Sequence, residues 1–317
     1  MYRIDAHQIL EDHATGLPNV QLHLGDGAGC VDAASGTLTL SSGAKHTGDL
    51  IIGADGVHGR TLLAIDASAA SPKPIGINMY RFMVPRSAIE ASPSVSSVLS
   101  KLDFANKHLS IVHLRKKHFL VLYPCRGGEL LNCATFQESS AERKPFLEDA
   151  YHNPASQDDV LDLFSDWPEP FLDLVRLGED VKHWAIVGRD IASSYVKGRL
   201  ALAGDMAHPT MPTHAAGANM GIEDAAVLGV LFDKNMDAGM VESRLKLYNE
   251  LRYERTATVK FASEIVKVSW KELGNTNEEI LRRKLPDASL PKDMEAYLWS
   301  FDAVAEAEKA LKEANGL

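Results

Sequence analysis

The chain has 317 residues, 45% hydrophobic and 24% charged, with a formal net charge of −10. That length can bury a core in one or two domains, and the acidic balance argues against nucleic acid as a partner. No run of about eighteen apolar residues offers a membrane span, and the first residues lack the order of a signal peptide. Cys30, Cys125 and Cys133 are odd in number and form no Cys-x-x-Cys, so they read as free thiols of a cytoplasmic protein.

In chain order, residues 2–10 predict a short helix with Ile9 and Leu10 turned inward. Residues 20–24 and 37–40 alternate and predict strands of a small meander. Residues 50–52 are apolar, mostly β-branched and stopped by Gly53, as in a central parallel strand. Asp55 follows its carboxyl end, where open α/β sheets place their ligands. Residues 77–84, 108–114, 118–123 and 130–136 predict a second, mostly β layer able to wall a pocket. Tyr123 reads as a core aromatic or as a pocket phenol. His108, His113 and His118 recur at five-residue spacing, which suits neither one strand face nor an i, i+4 helix pair, so no metal site is expected. Helical spacing marks residues 157–164, 170–177 and the stripe Leu245, Tyr248, Leu251 and Arg252, with an Ala/Glu/Lys-rich helix over 280–317.

The stretch 198–226 joins three physical segments. Residues 200–203 fit a buried strand stopped by Gly204, and Pro209, Pro212 and Gly217 impose a loop. A helix begins near Ala218 and carries Ile222, Ala225, Ala226 and Val230. Asp205 thus falls at a strand's carboxyl end, near amides of Ala218, Asn219 and Met220 that have no intrahelical acceptor. Free amides favour an anion, and an ionised Asp accepts hydroxyl protons. A ligand with a polyol at one end and an electron-rich ring at the other would fit both. An ordinary strand–loop–helix crossover, with Asp205 capping its own loop, is the alternative.

The run Gly204-Asp205-Met206-Ala207-His208-Pro209, then Pro212, Gly217-Ala218-Asn219 and Ile222-Glu223-Asp224-Ala225, resembles the second flavin-binding motif of the FAD-dependent aromatic hydroxylases. These are the single-component flavoprotein monooxygenases of the salicylate and p-hydroxybenzoate hydroxylase type. The resemblance implies that Asp205 holds the ribityl chain and that the helix start, with Gly204, Pro212, Gly217, Ala218, Asn219 and Met220, lies against the flavin. Gly53-Ala54-Asp55-Gly56 resembles the family's Asp-Gly motif, with Asp55 toward FAD, although Gly59 and Leu62 replace its usual Ser and Arg. Residues 2–10 are similar to the helix whose Arg, here Arg3, reaches the flavin. Arg81, beside Tyr80, stands where related enzymes carry an active-site Arg. Arg81 and Tyr123 are therefore the candidate catalytic groups.

The resemblance implies an α/β (α+β) fold: an incomplete Rossmann-like FAD-binding domain over 1–70 and 181–265, an inserted β substrate domain over 71–180, and C-terminal helices over 266–317. The family's Gly-x-Gly-x-x-Gly turn is absent, since Gly25, Gly27 and Gly29 lie in a polar loop. Roughly a hundred residues of the pattern are missing, so a fragment or a naturally short form is expected. The implied activity is hydroxylation or epoxidation of a small aromatic or secondary-metabolite substrate with FAD, O₂ and NADPH or NADH. A flavin-independent isomerase, cyclase or hydrolase, or a non-catalytic scaffold, are the alternatives. The expected partner is a small-molecule substrate, with homodimerisation left open.

Overall fold

The computed structural model describes residues 2–101, 109–115, 118–138, 153–233, 236–268 and 291–316. The fold is α/β, in two units: Met1–His23 with Pro74–Ile186, and Leu24–Lys73 with Val187–Leu317. His108 lies outside the described residues, as do the side chains of His113 and His118 and residues 280–290 of the expected last helix.

The first unit is built on a six-stranded sheet in the order β6-β7-β8-β5-β10-β9. Its strands are β5 (Lys73–Pro85), β6 (Ser110–Arg115), β7 (His118–Cys125), β8 (Leu130–Glu138), β9 (Asn153–Pro154) and β10 (Glu179–Gly188). The expected turn between β7 and β8 forms with Arg126, Gly127 and Gly128 all at positive φ (48°, 66° and 99°), which two glycines accept without Cβ strain. The β5–β8 ladder is antiparallel from Ile77↔Glu138 to Pro85↔Leu130. Because side chains alternate across a strand, Tyr80, Phe82 and Val84 share one face with Leu120, Leu122 and Leu131. That face packs with residues of helices α2 (Arg86–Ala91), α3 (Pro93–Lys101), α4 (Gln157–Leu163) and α5 (Glu169–Arg176). A capping box between Ser156 and Asp159 starts α4.

Helix α1 (Arg3–Thr15) forms as expected and belongs to this first unit, not with residues 24–70. A bidentate pair holds it: Arg126 donates to Asp5 at 2.9 and 2.7 Å while lying over the Tyr2 ring. The inward placement of Ile9 and Leu10 does not hold, since they are 67% and 64% exposed. Successive residues turn about 100° along a helix, so Ile4, Ile9 and Leu10 point three ways and make no stripe.

In the second unit, β1 (Ala28–Asp32), β2 (Thr37–Leu40) and β3 (Lys45–Thr47) make the meander. Residues 20–24 are not one of its strands. Among the described residues they have no ladder partner, and Leu22 and Leu24 are exposed, so alternation alone did not make a strand there. A second three-stranded sheet runs β11-β12-β4, with β4 (Ile51–Gly53) parallel to β12 (Leu200–Leu202) and β11 (Val196–Lys197) antiparallel. The parallel pairing is as expected, but among the described residues β12 is central and β4 is an edge. β12 is completely buried, whereas Ile52 of β4 is 48% exposed.

Among the described residues the helices of this unit are α6 (Gly217–Leu231), α7 (Val241–Val268), α8 (Met294–Trp299) and α9 (Ala303–Ala314), besides short 3-10 turns. Helix α6 starts one residue before the expected position and buries Met220, Asp224, Val227, Leu228 and Leu231. Ile222 is left outside at 54% exposure. The core joins Leu200, Leu202, Val227, Leu231, Leu245 and Tyr248, each buried apolar side chain contributing roughly 1.5–3 kcal/mol. Among the described residues no helix is long and apolar enough to cross a membrane.

Candidate functional site

The parallel strands β4 and β12 end side by side, and each is followed by an acidic residue. After β12, Gly204 takes φ +60°, which lets the chain turn sharply into the short helical turn that carries Asp205. The Asp205 carboxylate has no hydrogen-bond donor among the described residues. Asp205 is solvent-exposed as a residue, yet its carboxyl is partly buried by neighbouring protein. That lost hydration pushes its carboxyl above the usual range, against the pull of His208 and Arg189.

Helix α6 begins beside this carboxylate: a Cβ built on Gly217 would lie 4.0 Å from Asp205 Oδ1. The residue before the helix, Ala216, has no side-chain oxygen to cap it. Met220 N–H already reaches the Ala216 carbonyl at 2.9 Å. The amides left open are therefore those of Gly217, Ala218 and Asn219, of which Ala218 and Asn219 are exposed. Met220, expected with them, is buried at 1% exposure. A cavity of about 590 Å³ opens between Gly56, Gly204, Asp205 and Gly221 and the apolar Ile52 and Leu228. An acceptor-only carboxylate and an uncapped helix start side by side can take a polyol and an electron-rich group together.

Asp55 is engaged within its own loop. Its carboxylate accepts from Arg60 N–H, Thr61 N–H and the Thr61 hydroxyl. Three of its roughly four acceptor positions thus hold the turn after β4. Gly59 sits against it so closely that a Cβ there would overlap Asp55 Cγ. Pro212 is exposed in the loop before α6. Arg3 is exposed on α1 of the first unit, where Asp5, not Arg3, forms the bond to Arg126.

Arg81 and Tyr123 both belong to the sheet of the first unit. The Arg81 guanidinium lies 5.4 Å from the Trp184 ring centroid. Burial raises the Tyr123 phenol above its usual range, partly opposed by Arg81, so it remains a proton donor.

Behind the loop lies a charge network that the sequence reading passed over. Asp224 is fully buried on α6. It accepts from Gly204 N–H at 2.8 Å, from His208 Nε2 at 2.6 Å and from Arg252 Nε at 2.7 Å. Facing a carboxylate, His208 Nε2 carries the proton. Burial alone would raise Asp224, but His208, Arg252 and the Gly204 amide together hold it below the usual carboxylate range. Arg252 Nη1 also lies 2.8 Å from Glu223, which grips Arg255 through a fork at 2.7 and 2.8 Å. Arg189, 9% exposed, donates to the carbonyls of Asp205 and Met206. A signal was present for one member: an arginine within the α7 stripe of Leu245 and Tyr248 must be buried with a partner.

Residues 6–262 match the sequence profile of the family described as FAD binding domain. Hispidin-3-hydroxylase of Neonothopanus nambi is 30% identical over 270 residues, covering 82% of this chain and 63% of that protein. The FAD-dependent monooxygenase cfoG of Aspergillus candidus is 27% identical, covering 98% and 72%. A salicylate hydroxylase structure with its substrate superimposes with a TM-score of 0.74 at 26% identity, covering 98% of this chain and 75% of that one. The chain thus spans about two thirds to three quarters of the length of these relatives.

Proposed function

Because the chain belongs to the FAD binding domain family, we propose that it holds FAD on its second unit and serves as a flavin-dependent monooxygenase of a small aromatic or secondary-metabolite substrate. The carrying observation is the pairing of an Asp205 carboxylate that has no hydrogen-bond donor among the described residues with the uncapped start of α6. Both are half of a ligand's hydrogen bonds waiting for the other half, and a flavin with its ribityl chain supplies hydroxyls to one and electron-rich ring atoms to the other. The residues present therefore fit the group. When bound, FAD takes a hydride from NADPH or NADH and uses O₂ to place one oxygen atom on the substrate, the other leaving as water.

The chain's own contribution is binding and orientation. Asp205 accepts from the ribityl hydroxyls, and the amides of Gly217, Ala218 and Asn219 stabilise negative charge at the ring. Gly204 and Pro212 shape the loop between them. Buried Met220 anchors the helix start, while Asp55 holds the neighbouring loop at the end of β4. On the sheet unit, Arg81 supplies fixed positive charge and Tyr123 a phenol proton for the substrate.

Titration of the purified 317-residue chain with FAD, followed by quenching of flavin fluorescence, tests the reading. Saturable binding at micromolar FAD, lost at least tenfold in Asp205→Ala, is expected, along with FAD-dependent oxidation of NADPH. Absence of binding overturns it.

A further inference from the structure

Arg189, the first residue beyond β10, is 9% exposed, and an arginine is almost never buried without a paired charge. Here its partners are neutral. Nη2 donates to the Asp205 carbonyl at 3.1 Å and to the Met206 carbonyl, and lies 3.6 Å from Met206 Sδ. Nη1 is buried with no hydrogen-bond partner. Among the described residues Arg189 forms no ion pair. Asp55 is spent on its own loop, accepting from Arg60 and Thr61. The clamp reaches both strand ends. Met206 is completely buried, and its methyl and the Asp55 carboxylate together fill the space that a Cβ on Gly59 would need. Arg189 thus grips the turn after β12 at the residue that packs against the turn after β4. A charge taken out of water without a counter-charge is costly, so a neutral side chain would serve better if holding two carbonyls were the whole task.

The unspent charge has one carboxylate to act on. Around Asp205 stand His208 of its own loop, Arg189, and, behind Gly204, Glu223 and Asp224 of α6 with Arg252 and Arg255 of α7. His208 gives its Nε2 proton to Asp224, Arg252 neutralises Asp224, and Arg255 neutralises Glu223, so that set is balanced within itself. Arg189 is not. Partial burial pushes the Asp205 carboxyl up, and His208 and Arg189 oppose it. A protonated Asp205 would lose its place as an acceptor-only group, and with it the charged partner for a polyol.

We propose that Arg189 is a positioning residue of the flavin site: it locks the two strand-end turns against each other, and its unpaired charge keeps Asp205 an anionic acceptor for the ligand's hydroxyls. That those hydroxyls belong to FAD rests on the monooxygenase reading; the hold of Arg189 on Asp205 does not.

NMR of the Asp205 carboxyl, in the full chain with labelled aspartate and no flavin, tests this; loss of the signal in Asp205→Asn assigns it. Arg189→Gln should move the Asp205 titration up by about one pH unit, and Arg189→Lys, which restores the charge, should return it most of the way. Arg189→Met, which keeps the apolar stem, replaces Arg189→Gln should that variant not fold. Fluorescence titration with FAD should follow the same course: on acidification, affinity in Arg189→Gln should begin to fall about one pH unit before it does in the wild type. An Asp205 titration unchanged in the folded neutral variant, or left shifted in Arg189→Lys, reduces Arg189 to a structural clamp and overturns the proposal. So does an Asp205 that is protonated at neutral pH in the wild-type chain, whether or not the variants fold. A shifted Asp205 titration with no FAD binding by any form would sink the monooxygenase reading and leave the hold of Arg189 on Asp205 standing.

Discussion

The Gly204 amide donates to the Asp224 carboxylate at 2.8 Å, across twenty residues of chain. The hydrogen bond ties the turn that presents Asp205 to the helix whose first amides lie beside it. Asp224 is in turn held by Arg252 of α7 at 2.7 Å. Loop, helix start and the longest helix are therefore joined at one buried carboxylate.

Asp224→Asn should destabilise the chain by about 3–5 kcal/mol, because it leaves the buried Arg252 guanidinium short of a counter-charge. Arg252→Met removes the opposite member and should cost a comparable amount. Urea unfolding followed by circular dichroism measures both. A loss below 1 kcal/mol in each would show that the network carries little stability.

The pH dependence follows from the two aspartates with opposite shifts. Asp224 is depressed in the fold. Its stabilisation is complete above the unfolded value, about 3.9, and is lost as pH falls through the lower folded value. Asp205 is raised by partial burial. It favours the fold below the unfolded value and loses that contribution as pH rises through the folded one. Midpoints of thermal unfolding from pH 3 to 7 should therefore fall at the acid end in the wild type. Asp224→Asn should flatten that fall, whereas Asp205→Asn should leave it and slightly raise the midpoint at pH 7.

Asp205→Asn separates binding from folding. The amide keeps the shape but loses a charged acceptor, so FAD affinity should drop about ten- to hundredfold, the worth of a hydrogen bond to a charged group. Fluorescence titration reads this directly.

Ala218→Asp adds a negative charge to the exposed first turn of α6. It should stabilise the helix by about 0.3–1 kcal/mol through the helix dipole and weaken FAD binding through repulsion. A variant both more stable and weaker in FAD affinity is expected; unchanged affinity would place the flavin away from this helix start.

Gly59→Ala should destabilise by about 1–3 kcal/mol, since the new methyl must displace Asp55 from its contacts to Arg60 and Thr61. Thermal unfolding measures it. A neutral effect would show that the turn after β4 yields easily.

Local chemistry made much of the fold legible. Residues 50–52 and 200–203 are short, apolar and glycine-stopped, and they became the parallel pair β4 and β12. Pro209, Pro212 and Gly217 bounded the loop, and α6 starts at Gly217. The four strands expected between residues 77 and 136 formed in the order of the chain. Alternation misled at residues 20–24, where nothing pairs among the described residues, and at Ile9 and Leu10, where a helix formed without burying either. Periodicity says which residues could share a face; only a neighbour makes that face an inside.

For the site, the sequence alone determined placement along the chain: Asp205 just after a strand, and a helix start near Ala218 beyond a loop bounded by prolines and Gly217. Those depend on residue type and on order along a few positions. Tertiary structure decided everything that needs a distant partner. Asp55 turned out to hold its own loop, Arg252 reaches Asp224 from 28 residues away, and Asn132 lies beside Tyr123 through strand register. A buried charge or amide is stable only with a counterpart, and which counterpart it meets, or whether it meets none, is fixed by packing between elements far apart in the chain.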